Sequence, residues 1–150
     1  MMNFAIYPTL LGNLQISYEQ DAVTSIDLTD LPEETGEKTE LTNIVYEQLT
    51  EYFDGKRTTF NFPYVLKGTD FQKKVWKALC DIPYGETRSY KDIAVAINQP
   101  TASRAVGNAN NKNPLMIVVP CHRVIGANGS LTGYAGGLHI KEALLTIEKK

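Results

Sequence analysis

Cysteine and histidine are scarce in this 150-residue chain, which has two of each: Cys80, Cys121, His122 and His139. With so few soft ligands and no Cys-x-x-Cys pair, a structural zinc site is not expected, and no other cofactor is called for. Two cysteines without a secretion signal argue for reduced thiols over a disulfide framework. Met1 to Gly12 contains no basic segment followed by an apolar stretch of signal length. No segment approaches the roughly 20 apolar residues of a membrane helix. Cytoplasmic residence and no membrane partner are therefore expected. Repeats and low-complexity tracts are also missing, so what remains is an ordinary globular composition, long enough for one domain or two small ones.

Charge is unevenly placed. The total of −2 conceals three bases against eleven acids through Leu66, a balance of −8, and twelve bases against six acids from Lys67 onward, a balance of +6. Such a split suits an acidic N-terminal unit and a basic C-terminal one able to meet a polyanion. Two ordinarily solvated surfaces would produce the same numbers.

In the first half, Phe4 to Leu28 holds three short alternating or apolar stretches, separated by Leu11-Gly12-Asn13 and Glu19-Gln20-Asp21. This reads as a small antiparallel meander. Asp30 to Glu37 is an acidic loop. Leu41, Ile44, Val45, Leu49 and Tyr52 then predict an amphipathic helix over Thr39 to Phe53, stopped by Asp54-Gly55. Phe60 to Tyr64 resembles one more edge strand or a linker, and nothing before it suggests chemistry.

The second half carries more signals. Thr69-x-x-Gln72 has capping-box form, and Phe71, Val75, Trp76 and Leu79 predict a helix from about Asp70 to Asp81. Ser89 can cap a second helix with Ile93 and Ile97 on its core face. Thr101 can cap a third, Ala102 to about Asn110, made of small residues apart from Arg104 and Val106. Two short helices about three residues apart suit a helix-turn-helix, although any helical domain contains helix pairs. A final helix, about His139 to Glu148, packs through Ile140, Leu144, Leu145 and Ile147. Cys80 is expected inside the helix core. The loops between these helices are rich in asparagine and glycine, which are turn residues first. Tyr134 stands out among them, because an aromatic face beside closely approachable glycine backbone can bind a planar ligand.

Pro120-Cys121-His122-Arg123-Val124 sets a thiol, an imidazole and a guanidinium side by side after the apolar run Met116 to Val119. A cysteine attacks as thiolate, yet a free thiol with a pKa of ~8.5 is only slightly ionised at neutral pH. His122 and Arg123 are the kinds of neighbour that lower that value. A lone cysteine is usually a small core hydrophobe, but an inert thiol has no use for two polar neighbours in one turn.

Together these pieces resemble a known family. Pro120-Cys121-His122-Arg123-Val124, preceded by Asn113-Pro114 and followed by Gly133-Tyr134-Ala135-Gly136-Gly137-Leu138 and Lys141-Glu142, is similar to the methylated-DNA-protein-cysteine methyltransferases, also called O6-alkylguanine-DNA alkyltransferases. The likeness runs upstream through Phe71-Gln72, Val75-Trp76, Ile82-Pro83-Tyr84-Gly85-Glu86, Ser89-Tyr90 and Ser103-Arg104-Ala105-Val106-Gly107. It spans Thr69 to Glu148. The N-terminal half resembles the family's ribonuclease-H-like domain in pattern only. The fold class implied is α+β: a small N-terminal ribonuclease-H-like α/β domain, residues 1–66, followed by a mainly helical, winged-helix-like domain, residues 67–150.

The resemblance also implies roles. The partner would be double-stranded DNA carrying O6-alkylguanine, bound by a monomer with no obligate protein partner. Thr101, Ala102, Ser103, Ala105 and Gly107 would line a narrow minor groove, and Arg104 would fill the stack left by a flipped base. Its bland reading is a solvated cation or phosphate contact. Cys121 would take the alkyl group and be spent, in a single-turnover reaction. His122 would accept its proton through a water, Glu148 would orient the imidazole, Tyr90 would assist the departing base and Asn113 would brace the loop. Pro120, Val124, Tyr134, Ala135 and Gly136 would form the pocket, with the carbonyls of Cys121 and Val124 accepting the guanine amino group. O4-alkylthymine is a second substrate that the resemblance allows.

Ala135 departs from the serine of many members, removing a hydroxyl contact to O6, and the first half lacks the zinc ligands of some relatives. Two other classes compete. Alkyltransferase-like proteins bind lesions without transfer, but they lack the nucleophile that Cys121 supplies. A cysteine hydrolase would need a Cys-His dyad, which adjacent residues seldom form.

Overall fold

A computed structural model describes residues 3–131, 134 and 137–149. The chain divides into two compact units, Met1–Lys67 and Gly68–Lys150.

In the first unit, strands β1 (Phe4–Thr9), β2 (Gly12–Glu19) and β3 (Ala22–Leu28) form an antiparallel meander in the order β1-β2-β3. Leu14 and Ile16 alternate on the buried face of β2, with Ile26 opposite Ile16, and a register shift between Ser17 and Tyr18 brings Val23, three residues from Ile26, into the same core. Tyr64 bridges Val23 in parallel, so the stretch after Phe60 lies along β3 as a single-bridge extension of the sheet. Helix α1 (Glu40–Phe53) starts in a capping box between Thr39 and Thr42. Its inner face is Thr42, Val45, Leu49 and Tyr52, whereas Ile44, expected on that face, is 40% exposed. The buried positions step by three and four residues, and Ile44 sits about 100° away from Val45 around the axis. Thr42 takes the inner place because its hydroxyl is used: it accepts from the Thr39 amide at 2.8 Å and meets the Tyr7 hydroxyl at 2.9 Å.

The second unit is helical. Helix α2 (Asp70–Cys80) opens with the Thr69-Gln72 capping box and buries Val75, Trp76 and Leu79. Cys80, expected in the core, is exposed. It follows Leu79 by one residue and so turns away from the stripe Val75, Trp76, Leu79. A two-residue strand, β4 (Arg88–Ser89), leads into α3 (Tyr90–Ala96), which Ser89 and Asp92 cap reciprocally. Helix α4 covers Ser103–Asn111.

The connection between α3 and α4 is longer than expected. Asn98, in the left-handed region at φ +62°, ends α3. The Gln99 amide then returns to the Ala94 carbonyl at 2.9 Å and that of Ala102 to Gln99 at 2.9 Å. This second turn delays α4, so Ala102 occupies the N-cap without a side-chain bond and Thr101 does not cap.

The buried Trp76 indole donates to the Ala109 carbonyl at 2.8 Å, tying α2 to α4. Strand β5 (Val124–Ile125) pairs in parallel with β4, Arg88 opposite Val124 and Ser89 opposite Ile125. Helix α5 (Leu138–Glu148) closes the unit, with Ile140, Lys141, Leu144 and Glu148 buried, while Leu145 and Ile147 are half-buried. Gly137, at φ +103°, opens that helix in a conformation that other residues rarely adopt. Among the described residues no helix is long and apolar enough to cross a membrane.

Candidate active site

The site is built on the chain between α4 and β5. Leu115, Met116, Ile117 and Val119 are buried as an irregular turn, which holds the following residues inside the unit. Ile117 sits at φ +74°, an unusual conformation for a β-branched side chain. Asn113 fastens this turn: its amide donates to the Val119 carbonyl at 2.7 Å, and its oxygen accepts from the Leu115 amide at 3.0 Å. The chain then enters a 3-10 turn, Cys121–Arg123, with all three residues buried.

Burial pushes the Cys121 thiol above its ordinary pKa, opposed by polar contacts from Asn113 and Tyr134 and by the charge of Lys141. The Tyr134 hydroxyl is itself buried near this sulfur without full hydrogen-bond geometry. Burial thus favours the protonated thiol, and forming a thiolate here would need a base. Arg123, expected to depress the thiol, is engaged elsewhere. Its Nε and Nη2 donate to the two oxygens of Glu148 at 2.8 and 3.1 Å, and Nη1 to the Ile82 carbonyl at 2.6 Å.

That engagement defines the histidine. Bidentate pairing with a buried guanidinium favours an ionised Glu148, which can only accept. The 2.6 Å contact between His122 Nε2 and Glu148 Oε2 is then an Nε2–H donor bond. Nδ1 is left with its lone pair, buried and without a hydrogen-bond partner among the described residues. Burial is also the leading cause that lowers the His122 pKa, and the charges of Arg123 and Lys141 add to it against the opposing Glu148. The imidazole is thus held neutral with a free basic nitrogen, the form a general base needs.

Other expected residues gather around this turn to different degrees. Pairing of β4 with β5 sets Tyr90, the first residue of α3, beside the strand that follows the cysteine. Tyr90 also faces α4, since a side chain added at Gly107 would meet its ring at 3.8 Å. Arg104 and Ala105 are exposed on the outer face of α4, Thr101 is exposed before it, and Ala102, Ser103 and Gly107 are half-buried. Pro120 and Val124 are buried on either side of the 3-10 turn. The Cys121 carbonyl is approached by the Asn110 amide at 3.4 Å, and the Val124 carbonyl accepts from the Lys141 ammonium. Ala135 and Gly136 lie outside the described residues. Among those described, no group of three or more His, Cys, Asp or Glu could hold a metal ion.

Three site elements do not show in the sequence motifs: Arg123 pairs with Glu148 and not with the thiol, Asn110 approaches the Cys121 carbonyl, and Lys141 reaches the Val124 carbonyl. A signal existed for Lys141: with Leu144 and Glu148 it follows the i, i+3, i+7 spacing of one helical face.

Comparison with known proteins agrees with this architecture. Residues 70–150 match the family model of the 6-O-methylguanine DNA methyltransferase DNA binding domain, and residues 2–66 that of the ribonuclease-like domain. A methylated-DNA–protein-cysteine methyltransferase of Methanosarcina acetivorans is 46% identical over 153 residues, covering 98% of each chain. The constitutive enzyme of that name from Bacillus subtilis is 52% identical over 151 residues, 94% of this chain and 92% of that one. With the Methanosarcina barkeri protein the match is 64% over 102 residues, 68% of this chain and 65% of that one. The crystal structure of Mycobacterium tuberculosis OGT in complex with DNA superposes with a TM-score of 0.90 at 45% identity, covering 97% of this chain and 92% of that chain. Matched along both units in sequence and in fold, the chain belongs to the 6-O-methylguanine DNA methyltransferases.

Proposed function

We propose that the protein repairs duplex DNA by moving the alkyl group of O6-alkylguanine onto Cys121, with O4-alkylthymine as a second substrate, and is consumed by the reaction. The observation that carries this reading is a buried cysteine beside a neutral histidine whose tautomer Glu148 and Arg123 hold. A DNA complex of a relative similar over nearly the whole chain supports the partner.

In this mechanism α4 enters the minor groove, Arg104 fills the stack, and the damaged nucleotide turns out of the helix towards Cys121. Extrusion costs a few kcal/mol, less for a damaged pair. The thiol proton passes through a bridging water to His122 Nδ1, and the thiolate attacks the alkyl carbon in line. The S–C bond forms as the C–O6 bond breaks, and the electron pair leaves with the guanine. Tyr90 hydrogen-bonds the departing base at N3, and the guanine takes up one proton in place of the one lost by the thiol. The carbonyls of Cys121 and Val124 keep a second lone pair for the guanine amino group. A thioether is a poor leaving group, so no step returns the cysteine.

Incubation with a duplex bearing O6-methylguanine should add one methyl mass to the peptide containing Cys121, once per protein molecule, with none in Cys121→Ala. Transfer that survives Cys121→Ala sinks the mechanism, binding without transfer indicates lesion sensing, and turnover indicates a hydrolase.

A further inference from the structure

Lys141 is a fully buried amine on the inner face of α5, a position that a soluble domain normally fills with an apolar side chain. Removing an ammonium from water costs several kcal/mol unless polar groups receive it. Here the Val124 carbonyl receives it, three residues past the nucleophile in the chain. Burial lowers its pKa to about 8, and the negative charge that Cys121 can carry opposes that shift. The same attraction acts in reverse on the thiol. Lys141 thus joins two elements of the proposed reaction: a carbonyl of the guanine pocket and the sulfur that must become anionic.

We propose that Lys141 is a positioning residue for alkyl transfer, its buried ammonium anchoring the Val124 carbonyl while serving as counter-ion to the Cys121 thiolate that forms during attack. A cation inside a low-dielectric site favours the charged form of a neighbouring thiol. Lys141 therefore stabilises the thiolate generated when His122 takes the proton, a task that Arg123 cannot perform while it holds Glu148. By occupying one lone pair of the Val124 oxygen it also fixes that carbonyl's orientation and leaves the other lone pair to a base amino group. The inference rests on the alkyl-transfer reading above.

Other titratable groups face the same space. His122 lies in the turn, Glu148 on α5, Arg123 against Glu148, and Tyr134 beside the sulfur. At the end of α2, Cys80 responds to Asp81 and Arg123, and Tyr84 to Glu148 and Arg123. All are retained when Lys141 alone is changed, so a ratio of rates isolates its charge.

The test uses the full chain and a duplex containing O6-methylguanine, with single-turnover transfer measured from about pH 6 to about pH 9.5. Lys141→Gln keeps a donor for the Val124 carbonyl without the charge, and Lys141→Met removes both. Lys141→Gln should slow transfer at saturating DNA by about tenfold at neutral pH, the expected consequence of raising a thiol pKa by about one unit. Its ratio to the unsubstituted protein should narrow as pH rises past about 8, where the ammonium itself loses its proton. Lys141→Met should in addition need more DNA to saturate. A ratio that stays constant with pH marks a merely structural role and overturns the proposal. Should neither variant fold, nitrogen-15 NMR of lysine-labelled protein decides. The Lys141 ammonium must titrate at lower pH in Cys121→Ser than in the unsubstituted protein, and an unmoved titration overturns the counter-ion role. Absence of methyl on Cys121 of the unsubstituted protein would instead defeat the reading of function itself.

Discussion

The two units bury different kinds of polar group. In Met1–Lys67 the buried polar side chains are neutral, Thr42 and Gln48, and the ion pairs Lys38–Glu33, Arg57–Glu51 and Lys67–Glu19 lie towards solvent. Among the described residues of Gly68–Lys150 the buried set is Asn110, His122, Arg123, Lys141 and Glu148, four of them ionisable. Neutral hydroxyls and amides can be satisfied locally at small cost, as Thr42 is by the N-cap of its own helix. Buried charges are costly and mutually dependent. Their concentration in one unit marks where the chain gives up stability to obtain reactivity.

Breaking that contrast at its strongest point gives the largest effect. Glu148→Gln leaves the Arg123 guanidinium buried beside a neutral amide and replaces one of the two accepting oxygens with a donor, so the His122 tautomer is no longer fixed. Unfolding in urea should show a loss of about 3–5 kcal/mol. Transfer should slow on the order of 100-fold under conditions where the variant is folded.

A smaller effect comes from pH. The folded His122 pKa lies below its ordinary 6.5, chiefly through burial. Below pH 6.5 the unfolded chain therefore binds a proton that the folded chain refuses, and stability falls with falling pH, by up to about 1.4 kcal/mol per pH unit. Thermal unfolding should show this loss, and His122→Gln should lack that component.

The neutral unit sharpens the comparison from the other side. Thr42→Val deletes a hydroxyl that serves the Thr39 amide and the Tyr7 hydroxyl, while Tyr7 keeps its 2.5 Å bond to Asn43. About 1–2 kcal/mol should be lost in denaturant unfolding. The rate of methyl transfer at saturating DNA should not change, since every residue proposed to act in transfer lies in the other unit.

Much of the architecture was legible because its signals are local. Thr69 and Ser89 cap their helices through contacts three residues away, and β2, the middle strand of the meander, alternates at the period that a half-buried sheet requires. Where competition was finer, local reading failed. Thr101 looked like a cap, but the turn from Gln99 to Ala102 placed it one residue too early. Ile44 looked like core, but the hydroxyl of Thr42 had buried partners and took the inward place. Cys80 is apolar in composition statistics, yet lies off the stripe of α2 by a single residue.

The site divides along the same line. Cys121 and His122 are neighbours in the chain, so a nucleophile with a candidate base could be read directly from the residues. The sequence alone determined the family, the two-part charge distribution and a candidate nucleophile, Cys121. Tertiary structure decided the partners of the charges: Arg123 turned to Glu148, 25 residues away in the chain, and Lys141 came to the Val124 carbonyl across 17. The physical reason is that the effect of a charge depends on distance and burial, which are properties of the folded chain.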